Sequence, residues 1–259
     1  MVRVMGVLNV TPDSFSDGGR WLDPDAAVAH GLQLVADGAD VVDVGGESTR
    51  PGARPVPVEE EMRRVLPVVE ALAGDVRVSI DTRKEAVARA AVAAGATIIN
   101  DVSAELWPLA AEAGVGWAAT HMPADPSVMQ QHAHYRDVVA EVREYLDARA
   151  AVARAGGVGE IWIDPGIGFA KTARHNLLLL RHLDELVATG WRVLIGTSRK
   201  SFLGGLAPRP DGTVSGPGDR LEATVATTTW AIVQGVDMVR VHDVAPVAQA
   251  ARLASGGPR

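Results

Sequence analysis

The chain contains no cysteine in 259 residues. Disulfides, thiolate metal sites and cysteine nucleophiles are thereby excluded, and the composition fits a reducing compartment. No run of Lys or Arg stands out, and the formal net charge is −7, which argues against a nucleic-acid surface. No apolar run approaches the roughly 20 residues needed to span a bilayer. The opening residues Met1-Val-Arg-Val-Met run straight into a strand-like segment without the charged region, long apolar stretch and cleavage site of a signal peptide. The expectation is a soluble, cytoplasmic protein with no membrane partner. Also missing is a Gly-rich turn after the first strand, the mark of a dinucleotide-binding open sheet.

What is present is a regular alternation of short β-rich runs with longer segments of helical period. The runs Val4–Asn9, Val41–Val44, Val76–Asp81, Ile98–Asp101, Trp117–His121, Ile161–Asp164, Val193–Gly196 and Met238–His242 read as strands. Helices are expected at about Asp25–Asp37, Glu59–Leu72, Arg83–Ala94, Leu106–Ala113, Tyr135–Ala155, Asn176–Ala188, Arg220–Gln234 and Pro246–Leu253. Several stop at glycine: Gly38, Gly74, Gly95, Gly114, Gly156, Gly190 and Gly235. Alternating β and α elements imply parallel strands joined by helices. Apolar strands without clean alternation are covered on both faces. Eight such units in about 250 residues predict an α/β fold, a single-domain TIM (β/α)₈ barrel over residues 1–254, with a disordered tail at 255–259. Long Gly/Pro/Ser-rich loops are expected at about Val10–Leu22, Gly45–Pro57 and Leu206–Asp219.

Polar residues gather at the strands' C-terminal ends: Asn9, Asp43-Val-Gly-Gly-Glu-Ser-Thr-Arg-Pro-Gly52, Asp81, Asn100, His121, Asp164, Ser198-Arg-Lys-Ser201, and Arg240 with His242. Any one Asp or Asn there could cap the next helix. A cap belongs at a helix start, however, whereas Asp81, Asn100, Asp164 and Arg240 end apolar strand runs. Barrel enzymes build their active sites on that rim. Asp81, Asn100 and Asp164 offer acceptors and an amide donor suited to a flat heterocycle with an aminopyrimidine edge. Lys200, Arg240, His242, Arg50 and Thr49 offer donors for phosphate oxygens and a carboxylate. The ligand so implied has a hydrogen-bonding ring and an anionic tail.

Met5-Gly-Val-Leu-Asn-Val-Thr-Pro-Asp-Ser-Phe-Ser-Asp-Gly-Gly19 and Gly38-Ala-Asp-Val-Val-Asp-Val-Gly-Gly-Glu-Ser-Thr-Arg-Pro-Gly52 resemble the two signatures of the dihydropteroate synthase family. Ser79-Ile-Asp-Thr82, Ile99-Asn-Asp-Val102, Asp164-Pro-Gly-Ile-Gly-Phe169, Ser198-Arg-Lys-Ser201 and Arg240-Val-His-Asp243 follow in the family's order, so the likeness covers nearly the whole chain.

The resemblance implies a transferase of folate biosynthesis that joins a pterin pyrophosphate to p-aminobenzoate, with sulfonamides as mimics of the latter. Asp81, Asn100, Asp164 and Lys200 would hold the pterin ring. Asn9 would help bind Mg²⁺, and Thr49, Arg240 and His242 would contact the pyrophosphate. Arg50, Pro51, Phe169, Lys200 and Ser201 would border p-aminobenzoate, with Met122 and Phe169 packing on ring faces. Asp81, Asp164, Lys200, Arg240 and His242 would carry the catalysis. A homodimer is implied by the resemblance alone. Two departures stand out: the short Ser103-Ala-Glu-Leu-Trp107, and Pro123-Ala124 in place of the usual Gln-Gly after His121-Met122. The rival readings are a folate-dependent methyltransferase domain and a pterin-binding paralogue without synthase activity.

Overall fold

The computed structural model describes residues 2–11, 23–49, 53, 55–125 and 128–256. Eight strands form one closed parallel barrel in sequence order. They are β1 (Arg3–Asn9), β2 (Val41–Gly45), β3 (Arg77–Asp81), β4 (Ile98–Asp101), β5 (Gly116–Thr120), β6 (Ile161–Asp164), β7 (Arg192–Ile195) and β8 (Met238–Val241). β8 returns to β1 in the register Arg3↔Met238 to Gly6↔Val241, which closes the ring. Each strand lies within one residue of its expected limits at both ends.

The helices are α1 (Pro24–Ala36), α2 (Val58–Leu72), α3 (Glu85–Ala93), α4 (Trp107–Ala113), α5 (Val138–Ala155), α6 (Ala173–Arg181), α7 (Leu183–Val187), α8 (Ser201–Leu206), α9 (Leu221–Val233) and α10 (Val244–Ala254). Three expectations need correction. α5 starts at Val138 rather than Tyr135, because Asp137 caps it by accepting the N–H groups of Val139 and Ala140. The segment read as one helix from Asn176 is two helices. Thr172 starts the first through a reciprocal cap with His175, and the non-helical backbone of His182 (ψ 34°) ends it. The short helix α8, directly after Lys200, was not expected. Ser255 and Gly256 form a turn after α10, and the last three residues lie outside the described part.

Side chains alternate along each strand, and the two faces bury different things. Val42, Val44, Val78, Ile80, Ile99, Ile161, Ile163, Val193, Ile195, Val239 and Val241 face the helices in the large core cluster. Met5, Val41, Ile98, Ala118, Trp162, Leu194 and Met238 form a separate cluster that fills the barrel. Two residues beyond Val41, Ile98, Trp162 and Met238 stand Asp43, Asn100, Asp164 and Arg240. Period two therefore aims all four inward, above an apolar plug, at the C-terminal end of the even-numbered strands. Neighbouring strands bring Asp81 to the same end, since it pairs in register with Gly45 and Asn100.

Gly38, Gly95, Gly114, Gly190 and Gly235 have positive φ at helix ends, as expected, but after α5 that role passes from Gly156 to Gly157 (φ 102°). Gly156 has an ordinary φ of −76° and serves close approach instead: a Cβ there would lie 2.1 Å from the Trp107 ring. Gly156→Ala is accordingly expected to overpack the α4–α5 contact and cost about 1–3 kcal/mol. The check is a lowered urea midpoint at unchanged m-value, and wild-type stability would contradict the contact.

Candidate active site

Arg240 is the hub of the barrel mouth. Its Nε donates to Asp43 Oδ2 at 2.6 Å, and its Nη2 donates to Asp81 Oδ2 at 2.7 Å. Asn100 Nδ2 donates to the same Asp43 oxygen at 3.0 Å. One guanidinium thus joins β8 to β2 and β3, and an amide adds β4. The remaining carboxylate oxygens, Asp43 Oδ1 and Asp81 Oδ1, are buried and accept no hydrogen bond from the described residues. Buried acceptors of this kind are ready for N–H donors of a ligand.

On the opposite side of the ring, Asp164 is fixed by the N–H of Gly166, which donates to its Oδ1 at 2.7 Å. Lys200 lies within electrostatic reach of Asp164, Arg240 and Asp81. Its Nζ donates to the carbonyl of Ile167 and stands 4.6 Å from the centroid of the Phe169 ring. Asp81, Asn100, Asp164, Lys200 and Arg240 are therefore brought together, as expected. None of the three acidic or amide residues caps a helix. The neighbouring Asp101 does the local structural work instead. It accepts from the N–H groups of Ser103, Glu105 and Leu106 and from Trp117 Nε1, which holds the short connection to α4.

Burial governs the protonation of these groups. It pushes the Asp81 carboxyl up to about 7, against the pull of Arg240. It raises Asp164 as well, opposed by Lys200 and the Gly166 N–H. Burial lowers Lys200 to about 8, opposed chiefly by Asp164. For Arg240, burial is outweighed by Asp43 and Asp81, which hold the guanidinium charged.

The other expected residues fall around this centre. Asn9 ends β1 half-buried, and its Oδ1 shares the approach to Gly45 with Asp81: a Cβ built on Gly45 would lie 3.7 Å from the first and 3.8 Å from Asp81 Oδ2. His242 follows β8. Ser198 Oγ accepts from its backbone N–H at 3.1 Å and lies 3.0 Å from its Nδ1. Thr49, Met122 and Phe169 are half-buried, and Ser201 is exposed at the start of α8. Arg50 and Pro51 lie outside the described residues, as does most of the loop after β1. The stem of the second loop is held by Glu47, which accepts from Val56 N–H and Lys84 Nζ at 2.7 Å each.

Sequence reasoning missed Asp43 as a site residue, although it quoted the motif containing it. The available signal was an acid inside the apolar strand Val41-Val-Asp-Val44. Arg240, assigned to an anionic ligand with a structural ion pair as the other reading, is paired here with two carboxylates.

The description "Pterin binding enzyme" belongs to the family model that matches residues 5–242. The chain is 53% identical to the dihydropteroate synthase of Mycobacterium leprae (strain TN), over 94% of this chain and 89% of that protein. A Yersinia pestis dihydropteroate synthase, solved with a sulfonamide drug complex, superimposes with a TM-score of 0.92 at 39% identity, covering 98% of this chain and 93% of its own. The Thermus thermophilus enzyme in complex with 4-aminobenzoate gives 0.86 at 46% identity with the same coverage, and its complex with 6HMPPP gives 0.83 at 44%. The chain belongs to the dihydropteroate synthase family of pterin-binding enzymes.

Proposed function

We propose that the chain condenses 6-hydroxymethyl-7,8-dihydropterin pyrophosphate with p-aminobenzoate, giving 7,8-dihydropteroate and pyrophosphate. The observation that carries this reading is the belt of Asp43, Asn100, Asp164 and Arg240 with Asp81 and Lys200, together with relatives solved in complex with 4-aminobenzoate and with 6HMPPP.

In the reaction the bond from the pterin methylene carbon to the pyrophosphate oxygen breaks, and its electron pair leaves with the oxygen. The arylamine lone pair forms the new C–N bond, and the amine then loses one proton. Positive charge builds on the pterin–methylene system in between. Asp81 and Asp164 supply preorganised negative charge to it in a buried site, where such charge acts strongly. Asp81, Asn100, Asp164 and Lys200 hold the ring. Thr49, Arg240 and His242 take the pyrophosphate, since a guanidinium carries more N–H donors than Asp43 and Asp81 use. Arg50, Pro51, Phe169, Lys200 and Ser201 border p-aminobenzoate, and Met122 and Phe169 flank ring faces.

Mg²⁺ belongs to the same reading. Among the described residues no three His, Asp or Glu side chains cluster as a metal cage. Asn9 fits the way Mg²⁺ is usually held, by one or two protein oxygens with water and substrate phosphates completing the octahedron. When bound, the ion neutralises charge gathering on the departing oxygens. The reading also includes a homodimer formed through barrel helices and a cytoplasmic location. Exposed Trp230 and Val233 on α9 and Leu253 on α10 support the first. For the second, no helix of the described residues is long and apolar enough to cross a membrane.

Three outcomes are expected. Pyrophosphate release should require both p-aminobenzoate and Mg²⁺. Tight pterin binding without release would leave a pterin-binding protein that lacks the synthase activity. The pH profile of kcat/KM should be bell-shaped. As pH falls through about 7, Asp81 gains a proton and stops favouring the cation; as pH rises through about 8, Lys200 loses the charge that meets the carboxylate of p-aminobenzoate. A flat profile from pH 6 to 9 would remove both groups from the chemistry. Sedimentation should show a dimer, and a monomer at micromolar concentration would count against that assembly.

A further inference from the structure

Lys171 takes no part in the proposed reaction, yet it is only 4% exposed. A buried ammonium is costly unless its donors are satisfied. Its Nζ lies 2.9 Å from His121 Nδ1, 3.3 Å from the His121 carbonyl and 3.0 Å from the Phe169 carbonyl. Those acceptors match the ammonium's three N–H bonds one for one. The Tyr135 ring stands 5.9 Å from the same nitrogen. From these contacts we infer that Lys171 is a positioning residue, tying the end of β5 to the loop after β6 and so fixing the Phe169 wall of the p-aminobenzoate subsite. The inference rests on the functional reading above and assigns that subsite a support outside its lining.

The loop needs such a tie. Between β6 and α6 the backbone takes left-handed conformations at Gly166 (φ 66°), Gly168 (φ 87°) and Ala170 (φ 49°). The last is a non-glycine residue and is held there at a cost. Gly166 packs so closely on β5 that a Cβ would come within 2.1 Å of the His121 carbonyl oxygen. That carbonyl is one of the acceptors used by Lys171. Phe169 is thereby held twice, its carbonyl by Lys171 and its ring face by Lys200 at 4.6 Å. Asp164 is fixed separately, through the Gly166 N–H. Loss of the Lys171 tie should therefore damage the aryl subsite far more than the pterin grip.

The tie also fixes the His121 ring. The groups facing Lys171 are Asp164 on β6, Lys200 after β7, His121 after β5, Tyr135 ahead of α5 and His175 on α6. Burial, and then the Lys171 charge, push His121 down to about 3, so the ring is neutral. Below about 7, the value to which burial lowers Lys171, its nitrogen is an ammonium and can only donate, so Nδ1 accepts and the ring hydrogen belongs on Nε2.

The test combines two substitutions with one spectroscopic readout. Lys171→Met removes every donor, whereas Lys171→Gln keeps an N–H donor without the charge. Lys171→Met should raise KM for p-aminobenzoate about tenfold, the loss expected when one such hydrogen bond goes unmade, with pterin affinity by calorimetry changed less than about threefold. Lys171→Gln should recover part of the loss. Equal KM in all three proteins, or a parallel loss of pterin affinity, overturns the inference. Independently of activity and of how the variants fold, ¹⁵N NMR of wild-type His121 at pH 6 should show a neutral ring protonated on Nε2. A ring carrying hydrogen on Nδ1 overturns the tie even if the chain is an active synthase. If the tautomer is as stated and wild type releases no pyrophosphate, the synthase reading fails and the tie stands.

Discussion

A guanidinium held between two buried carboxylates sets the arrangement of the barrel mouth. Arg240 reaches Asp43 and Asp81 at 2.6 and 2.7 Å, joining the last strand to the second and third. Asp43 is fully buried and Asp81 nearly so. Removing one partner from such a set strands the other charges in a poor solvent, which commonly costs about 3–5 kcal/mol. The group is therefore kept or lost as a unit. Asn100 joins it through the same Asp43 oxygen, so the position of the amide depends on the ion pair. Everything a ligand meets on that side of the mouth inherits its geometry from this contact.

The same burial that makes the mouth rigid keeps it chemically poised. Removing water raises Asp81 and Asp164 and lowers Lys200. Acid and base are drawn toward neutrality from opposite sides, the pattern expected where proton state and charge serve a reaction. The cost shows in Asp43 Oδ1 and Asp81 Oδ1, buried oxygens without a hydrogen-bond partner among the described residues.

How much of this was readable in the sequence divides along physical lines. Strand limits came out within a residue because apolar β-rich runs, bounded by turn residues, carry strong local information. The inward set Asp43, Asn100, Asp164 and Arg240 was readable in principle, since each lies two places beyond an apolar residue of its strand. Asp43 escaped because it was read only as part of the glycine-rich motif that follows it, although it stands within the strand as Asn100 and Arg240 do. The break at His182 and the short helix after Lys200 depend on tertiary packing, which overrides the helical period of the leucine-rich segment. Lys171 left no local trace. Its partners, His121 and Phe169, come from two strand ends, and only the closed barrel makes those ends neighbours. Arg240's pairing with Asp43 is of the same kind, at a sequence separation of 197.

The residues assigned to the two substrates also differ in what carries them. The ring-binding acids and amide stand on strands, where period-two alternation and the apolar plug of Met5, Val41, Ile98, Trp162 and Met238 locate each Cβ. Of the residues assigned to the aryl acid, Phe169 stands on the connection after β6 and Ser201 at the first position of the short helix α8, so neither is carried by a strand. Side chains on loops reach the precision of strand-borne ones only when something outside the loop holds them. After β6 the holding is unusually dense for so short a segment: Asn176 accepts the Gly168 N–H, Lys200 reaches the Ile167 carbonyl, and Lys171 takes the Phe169 carbonyl. Two of these three ties come from lysines, Lys171 buried and Lys200 half-buried, that the fold keeps despite the desolvation each incurs. A loop that only connected β6 to α6 would need neither, so the expense points to Phe169 as the side chain whose placement they secure.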